Sequence, residues 1–561
     1  MKKKLLFLLV VPLFLYIILL PAMPLMEPSE ARYSHIASLM NSTGDYVTPH
    51  LQHVVFLEKP PLCCWATALS FKIFGENDFS SRLFVGLCAW GCIILVYFIG
   101  VFFSNEKTGL YSAGVLSTFL FHFAFGRINI LDIPLAFFVC LAIWAGYRYI
   151  EKRGRGKTWL YLFYFSSALA FLTKGLIGIV FPFAILILWL LISRRWRDVF
   201  MLFSPVGIII LLAVSCPWII LAQKANQDFL WFFFIREHFL RFATDASDRE
   251  GPFFYFIPII IAGTLPWCAF LIEATTGDTN RKNRIQENLD LRFLLTWIVF
   301  ILVFFSVSSS KLIPYITPLF LPLAVIFGYI FSLYDDRGEA LIGRRKLLLL
   351  PVALQSMLFI VTLVILPILK NIKLGGDLVI MYSEKWWFLI IPPIVFQIMI
   401  IFLPNFIKLK WKKGWFMTIY ILSALFLTSM VFPASDLLTP YRSSYPVSQA
   451  IKLVIPADEE LFQYGINLYG IDFYNKIRTP IVDDIGELRY GINRLQPAER
   501  SRYFLSPKDF FKLCKEKGGI YCVTKYKERL DRLKKYVSNV EVLWSNGAFY
   551  LLKLDCCKMR G

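Results

Sequence analysis

Apolar runs separated by short polar connections fill roughly the first three quarters of the chain, and the pattern then stops. Crossing a bilayer core takes about 20 consecutive apolar residues in a helix. Runs of this kind are read at Leu5–Leu20, Leu83–Phe103, Leu110–Phe125, Ile130–Ile150, Leu160–Leu172, Gly175–Ile192 and Phe200–Leu221. They continue at Phe253–Ile272, Phe293–Val307, Ile313–Leu333, Leu347–Leu369, Trp386–Leu403 and Trp415–Phe432. The pattern predicts a polytopic α-helical membrane protein with about thirteen spans. The first run, behind Lys2, Lys3 and Lys4, also fits a cleaved signal peptide; Pro21-Ala22-Met23-Pro24 is a poor cleavage site, which favours a retained helix.

Beyond Phe432 no spanning run remains. Helix periods at Val447–Val454, Pro507–Glu516 and Tyr526–Tyr536 alternate with strand-like segments at Glu460–Tyr464, Thr479–Val482 and Ile520–Lys525. A hairpin from Val540 to Leu554, turning at Ser545-Asn546-Gly547, closes the series. The expectation is a membrane domain over 1–432, with a first outer loop over 23–81, and a soluble α/β domain over 433–561. This second part has no Gly-rich phosphate loop, so its role is read as docking, lid support or plain structural extension.

Composition agrees: 57% of the 561 residues are hydrophobic and 17% charged, which excludes an ordinary soluble enzyme. A net charge of +20 would suit a nucleic-acid partner, but the cations gather in alternate connections. Lys2–Lys4, Lys152 to Lys157, Arg194 to Arg197, Arg281 to Arg284, Arg337 to Lys346 and Lys408 to Lys413 mark one face as cytoplasmic. An odd number of spans then carries the C-terminal part to the outer, periplasmic face of a bacterial inner membrane. Eleven cysteines without CxxC spacing define neither a zinc module nor a disulfide framework, although Cys514 and Cys522 are free to pair in an oxidising compartment.

The same topology sorts the unusual polar residues. Glu27, Glu30, Arg32, Tyr33, Glu58, Lys59, Asp132, Lys174, His238, Arg241, Lys311 and Tyr315 all fall toward the outer face. Ionisable groups at span ends are expensive and point to a shared site. Pro60 and Pro61 stiffen the backbone behind Glu58-Lys59. Asp132 is either part of this site or a helix N-cap ahead of Pro134, and Arg241 either a site residue or an interfacial side chain among phenylalanines.

Glu30-Ala31-Arg32-Tyr33, Phe56-Leu57-Glu58-Lys59-Pro60-Pro61-Leu62, Leu131-Asp132-Ile133-Pro134, Thr173-Lys174-Gly175, Glu237-His238-Phe239-Leu240-Arg241-Phe242 and Ser310-Lys311-Leu312-Ile313-Pro314-Tyr315 occur in this order. The ordered set resembles the integral-membrane glycosyltransferases of the GT-C superfamily, the aminoarabinose transferases and dolichyl-phosphate-mannose protein mannosyltransferases. It is most similar to the aminoarabinose branch. The resemblance implies transfer of a sugar, 4-amino-4-deoxy-L-arabinose or a related one, from a polyprenyl (undecaprenyl) phosphate donor by inverting single displacement. Lipid A, or another envelope glycan or protein, is the implied acceptor.

In that chemistry a phosphate anion leaves, so cations must meet the developing charge. Lys59, Arg241, Lys311, Arg32, Tyr33 and Tyr315 are the candidates for the donor phosphate. Asp132 and Glu30 are the candidate catalytic carboxylates. Where the family shows an aspartate before the first-loop glutamate this chain has Ser29, which cannot act as a carboxylate base. Glu58 and His238 resemble positions that hold a structural zinc, while the chemistry requires no cofactor. The competing reading is a transporter or flippase of polyprenyl-linked sugars, for which internal repeats and broken helices in matching halves are the expected signs.

Overall fold

The computed structural model describes residues 2–240, 251–268, 290–336, 415–484 and 486–559. The spans expected at 347–369 and 386–403 lie outside the described residues. Five described helices are long and apolar enough to cross a membrane: Asp78–Phe103, Asp132–Glu151, Pro205–Ala225, Ile313–Leu333 and Phe416–Arg442. Shorter apolar helices occupy Leu8–Ala22, Leu62–Phe74, Ile177–Ile192 and Leu291–Val307.

The helix ends show how sequence sets the boundaries. Asn77 accepts from the Ser80 amide at 2.9 Å while Ser80 Oγ accepts from the Asn77 amide at 3.1 Å, a reciprocal capping box that starts the helix ahead of its apolar run. Arg82, the fifth residue of this helix, is buried to 3% exposure. The single run expected over Leu110–Phe125 is two helices, Glu106–Ser117 and Leu120–Phe125. Phe119 is extended between them, and the neighbouring Thr118 hydroxyl donates to the Gly114 carbonyl at 2.8 Å and accepts from Trp267 Nε1 at 2.9 Å. Gly100 lets helices Asp78–Phe103 and Glu106–Ser117 touch: a Cβ there would fall 2.8 Å from Gly109 Cα.

The last described membrane helix continues through Pro433 and Pro440 to Arg442. A six-stranded sheet follows, built from β3 (Leu461–Tyr464), β4 (Ile481–Val482), β5 (Phe504–Leu505), β6 (Gly519–Lys525), β7 (Val537–Ser545) and β8 (Phe549–Met559), after a short hairpin of β1 (His50–Leu51) and β2 (Val54–Val55) in the first loop. Strand order is β5-β4-β3-β6-β8-β7. The first four are parallel, and parallel neighbours need crossovers. Helices Tyr469–Asn475, Pro497–Tyr503 and Pro507–Lys517 supply them. The β7-β8 hairpin turns where the sequence predicts, with Gly547 at φ +87° and Asn546 Oδ1 accepting the Phe549 amide at 2.9 Å.

Cysteine pairing differs from the expectation. The disulfide joins Cys514 to Cys556, with Cα atoms 5.6 Å apart, and Cys522 is a buried free thiol. Cys522 lies in the middle of β6, in register with Leu552, whereas Cys556 near the end of β8 is reached by helix Pro507–Lys517. Spacing along the chain carries no information about that crossover.

The sheet unit is docked on the first loop by buried polar contacts. Glu27 Oε1 accepts from Ser444 Oγ at 2.8 Å and the Gly470 amide at 2.7 Å. Gln52 Nε2 donates to Asp472 Oδ2 at 3.0 Å, and Tyr474 donates to Asp78 at 2.6 Å. Gly491 sits so close to β2 that a Cβ would lie 2.6 Å from the Val55 carbonyl oxygen.

Candidate functional site

Helix Ser29–Thr43 in the first loop carries three of the sequence-predicted residues, and they divide at once. Glu30 is 1% exposed and faces Arg82 edge to edge, Nε to Oε1 at 2.7 Å and Nη2 to Oε2 at 2.8 Å. Its oxygens also accept from the Met26 amide at 3.0 Å and the Asn129 amide at 2.9 Å. The carboxylate expected as a proton acceptor is thus engaged on all sides by the protein, because a buried charge needs that many partners.

Arg32 and Tyr33 follow on the same helix. The Arg32 guanidinium is ion-paired with Glu487 of the C-terminal sheet unit and stands over the rings of Tyr33 and Phe56, 5.0 and 5.7 Å from their centroids. Burial is the largest influence on Tyr33 and pushes its hydroxyl up, against the pull of Arg32.

Glu58 and Lys59 precede helix Leu62–Phe74. Lys59 Nζ donates to the Glu58 carbonyl at 3.0 Å and stands 3.8 Å from the Glu237 carboxylate. Burial first, and then the facing Glu237, raise the Glu58 carboxyl above its ordinary value; Lys59 and Arg32 oppose them. Among the described residues no three His, Cys, Asp or Glu side chains come together as metal ligands. Glu58 has carboxylates and cations as neighbours, and two candidate ligands do not make a zinc centre. The structural zinc expected on Glu58 and His238 is not supported. Arg241 and the side chain of His238 lie outside the described residues.

Asp132 heads helix Asp132–Glu151, where Leu131 takes the N-cap position, so the capping alternative does not describe it. Its Oδ1 accepts from Lys174 Nζ at 2.5 Å, and the same ammonium lies 4.7 Å from the centroid of Tyr315. Lys174 ends helix Lys157–Lys174, and Gly175 at φ +84° terminates it. Three distant segments therefore meet at one ammonium group. Leu57 and Leu62, on either side of Glu58–Lys59, pack in one cluster with Phe171, Leu172 and Leu176, which brings the Glu58–Lys59 corner toward the end of the helix that carries Lys174. Lys311 is apart from that contact: it is 8% exposed and donates to the Ser308 carbonyl at 2.6 Å.

Sequence reasoning placed Lys174 on the outer face but gave it no role. It missed Glu237, Glu487 and Arg82. Glu237 stands inside a quoted motif, and its charge next to His238 was a usable signal. Arg82 and Glu487 had none, since their significance lies in partners 52 and 455 positions away.

Chemically, the site is a set of cations and paired carboxylates at one end of a group of helices, next to the C-terminal sheet unit. Residues 58–220 match the family model described as dolichyl-phosphate-mannose-protein mannosyltransferase, a segment that contains Glu58, Lys59, Asp132 and Lys174. The undecaprenyl phosphate-alpha-4-amino-4-deoxy-L-arabinose arabinosyl transferase of Enterobacter sp. (strain 638) is 32% identical over 318 residues, 56% of this chain and 57% of that protein. Its counterpart in Edwardsiella ictaluri (strain 93-146) is 29% identical over 331 residues, 58% and 59% of the two chains. The chain thus spans somewhat over half the length of these curated relatives. The crystal structure of ArnT from Cupriavidus metallidurans bound to undecaprenyl phosphate shares the fold, with a TM-score of 0.82 and 21% identity over 98% of both chains. The chain therefore shares its fold with ArnT and, over residues 58–220, its sequence with the mannosyltransferase family model.

Proposed function

We propose that the chain is a glycosyltransferase that moves 4-amino-4-deoxy-L-arabinose, or a related sugar, from undecaprenyl phosphate to lipid A or another envelope acceptor. The observation that carries this reading is the meeting of Asp132, Lys174 and Tyr315, the first two of which lie with Lys59 inside the segment that matches the family model. The similar arabinosyl transferases are named for this donor and sugar, which supports the choice. On this reading the fold comprises about thirteen spans in a bacterial inner membrane, with the α/β unit over 433–561 and the site on the periplasmic side.

Mechanistically, an acceptor oxygen attacks the anomeric carbon from the face opposite the lipid phosphate, and the glycosidic bond breaks to release polyprenyl phosphate. Lys59, Lys174 and Arg32 supply positive charge where that leaving phosphate gains its own. Tyr33 and Tyr315 offer hydroxyl donors, and Arg241 and Lys311 are further cations for the lipid phosphate. Glu30, held by Arg82, fixes the helix that carries Arg32. Asp132 is the remaining catalytic carboxylate and aims Lys174. A phosphate acceptor already carries a nucleophilic oxygen and needs positioning more than deprotonation, which suits an aspartate committed to an ammonium group and accommodates Ser29.

Transfer from a synthetic undecaprenyl-phosphate aminopentose to lipid A by the purified protein is the test. Release of undecaprenyl phosphate with a matching mass gain on lipid A supports the proposal. Movement of the donor across vesicles with no release of undecaprenyl phosphate refutes it and leaves a transporter.

A further inference from the structure

We infer that Glu487, from the C-terminal sheet unit, is a positioning residue for the donor site, so that this unit completes the site and is more than a structural extension. The inference rests on the donor proposed above. Residues 486–494 form a clasp against the membrane part. Tyr490 stacks on Phe232 with ring centroids 3.5 Å apart, Arg494 pairs with Asp228 at 2.5 Å, and Gly491 abuts β2. Two independent segments, the first loop and the residues that lead to Glu237, are gripped by the same short stretch of chain.

Within the clasp Glu487 is held from one side and holds on the other. Tyr469 donates its hydroxyl to Oε1 at 2.8 Å, and Oε2 accepts from Arg32 Nη1. The guanidinium is already confined by the rings of Tyr33 and Phe56, so this third contact fixes its rotation as well as its place. Arg32 Nε is buried and has no acceptor among the described residues. A guanidinium has five N–H donors, and one whose Nη1 is tied to a carboxylate directs its remaining donors elsewhere. Glu58 is close enough to act on the Arg32 charge, and Lys59 follows it in the chain. The chemistry that satisfies such an arrangement is an oxyanion, and the lipid phosphate is the oxyanion of the proposed reaction.

A role in positioning differs from one in holding the unit in place, and the two separate experimentally. Arg494→Ala weakens the same clasp without touching Arg32, and serves as the structural control. Binding of undecaprenyl phosphate to the full-length protein in nanodiscs is measured for wild type, Glu487→Ala, Glu487→Gln, Glu487→Asp and Arg494→Ala, alongside thermal unfolding. The expected result is a loss of affinity of about tenfold for Glu487→Ala and Glu487→Gln, one charge-assisted hydrogen bond's worth. Glu487→Asp recovers most of it, and Arg494→Ala shifts unfolding but not affinity. Unchanged affinity in a folded Glu487→Ala protein, or an equal loss in Arg494→Ala, overturns the inference. Failure of the wild type to bind undecaprenyl phosphate at all overturns the proposed donor instead.

Discussion

The Glu30 carboxylate and the Arg82 guanidinium form a two-pronged ion pair, at 2.7 and 2.8 Å, with side chains 1% and 3% exposed. Neither charge has water to fall back on, so removing one strands the other. Arg82 also donates to the carbonyls of Leu20, Met23 and Pro24, which ties the first membrane helix to the same point. Arg82→Ala is expected to destabilise the protein by about 3–5 kcal/mol. Glu30→Ala should do the same, with activity lost in proportion to the folded fraction. A thermal unfolding series in detergent checks this; an inactive Glu30→Ala protein of wild-type stability would return Glu30 to a chemical role.

Asp132 and Lys174 should behave as one unit. On the proposed mechanism Lys174→Met removes a cation that meets the leaving phosphate, and a loss of about 10²–10³ in kcat/KM is expected by analogy with other preorganised donors to developing oxyanions. Asp132→Asn leaves the ammonium unanchored and should cost somewhat less. If the aspartate acts through the lysine, the double variant is no slower than Lys174→Met alone. Steady-state transfer rates with a synthetic donor measure this, and multiplicative losses in the double variant would mean that Asp132 does separate chemistry.

The sequence exposed the parts of this architecture that follow from local pattern. Apolar runs located the described spans because a helix in lipid must satisfy its own backbone, leaving hydropathy as a sufficient signal. The hairpin at Asn546-Gly547 was legible because few residues adopt that turn. Asp132 and Lys59 stood out because charges at span ends are rare. Pairing was not legible. Cys514 joins Cys556 and not Cys522 because a crossover helix decides which strand lies beneath it. The Arg82 partner of Glu30 was hidden because nothing in the segment around Glu30 announces it. Breaks such as that at Phe119 were hidden too, since both flanking helices are apolar and no proline marks the gap.

Docking of the sheet unit on the first loop should depend on pH. Burial, the largest influence, pushes Glu27 up to about 7 against the bonds from Gly470 and Ser444, with Asp472 adding to the rise. Burial likewise pushes Asp472 to about 7 against Thr479, Gln52 and the Arg478 charge. Both carboxyls bind protons more tightly in the docked state than when exposed, where they titrate near 4. Stability contributed by docking is therefore full below about pH 4, falls as pH rises toward 7, and levels off above it. The difference is on the order of 3 kcal/mol per group. Hydrogen exchange at the Gly470 and Thr479 amides, whose acceptors are these carboxylates, should speed up between pH 5 and 8 beyond the intrinsic rate. Glu27→Gln and Asp472→Asn should flatten the profile; a flat wild-type profile would mean that the two carboxylates stay charged in place.

The Cys514–Cys556 bridge spans 42 positions and staples helix Pro507–Lys517 to β8, at the end of the sheet remote from the short edge strand β5. Closing a loop of that size restricts the unfolded chain by about 4 kcal/mol in the entropic account. Cys514→Ser and Cys556→Ser should each lower the unfolding temperature of the sheet unit, and the double variant should be no worse than either, since all three lose one bond. Cys522, 0% exposed in the middle of β6, should resist maleimide in the native protein and react only on unfolding. Protein made in an oxidising compartment should carry the bridge without added oxidant, in keeping with a sheet unit on the periplasmic side. Mass spectrometry of alkylated peptides reads both points, and a Cys514 that labels quantitatively in the protein as isolated from membranes would put the unit in a reducing compartment.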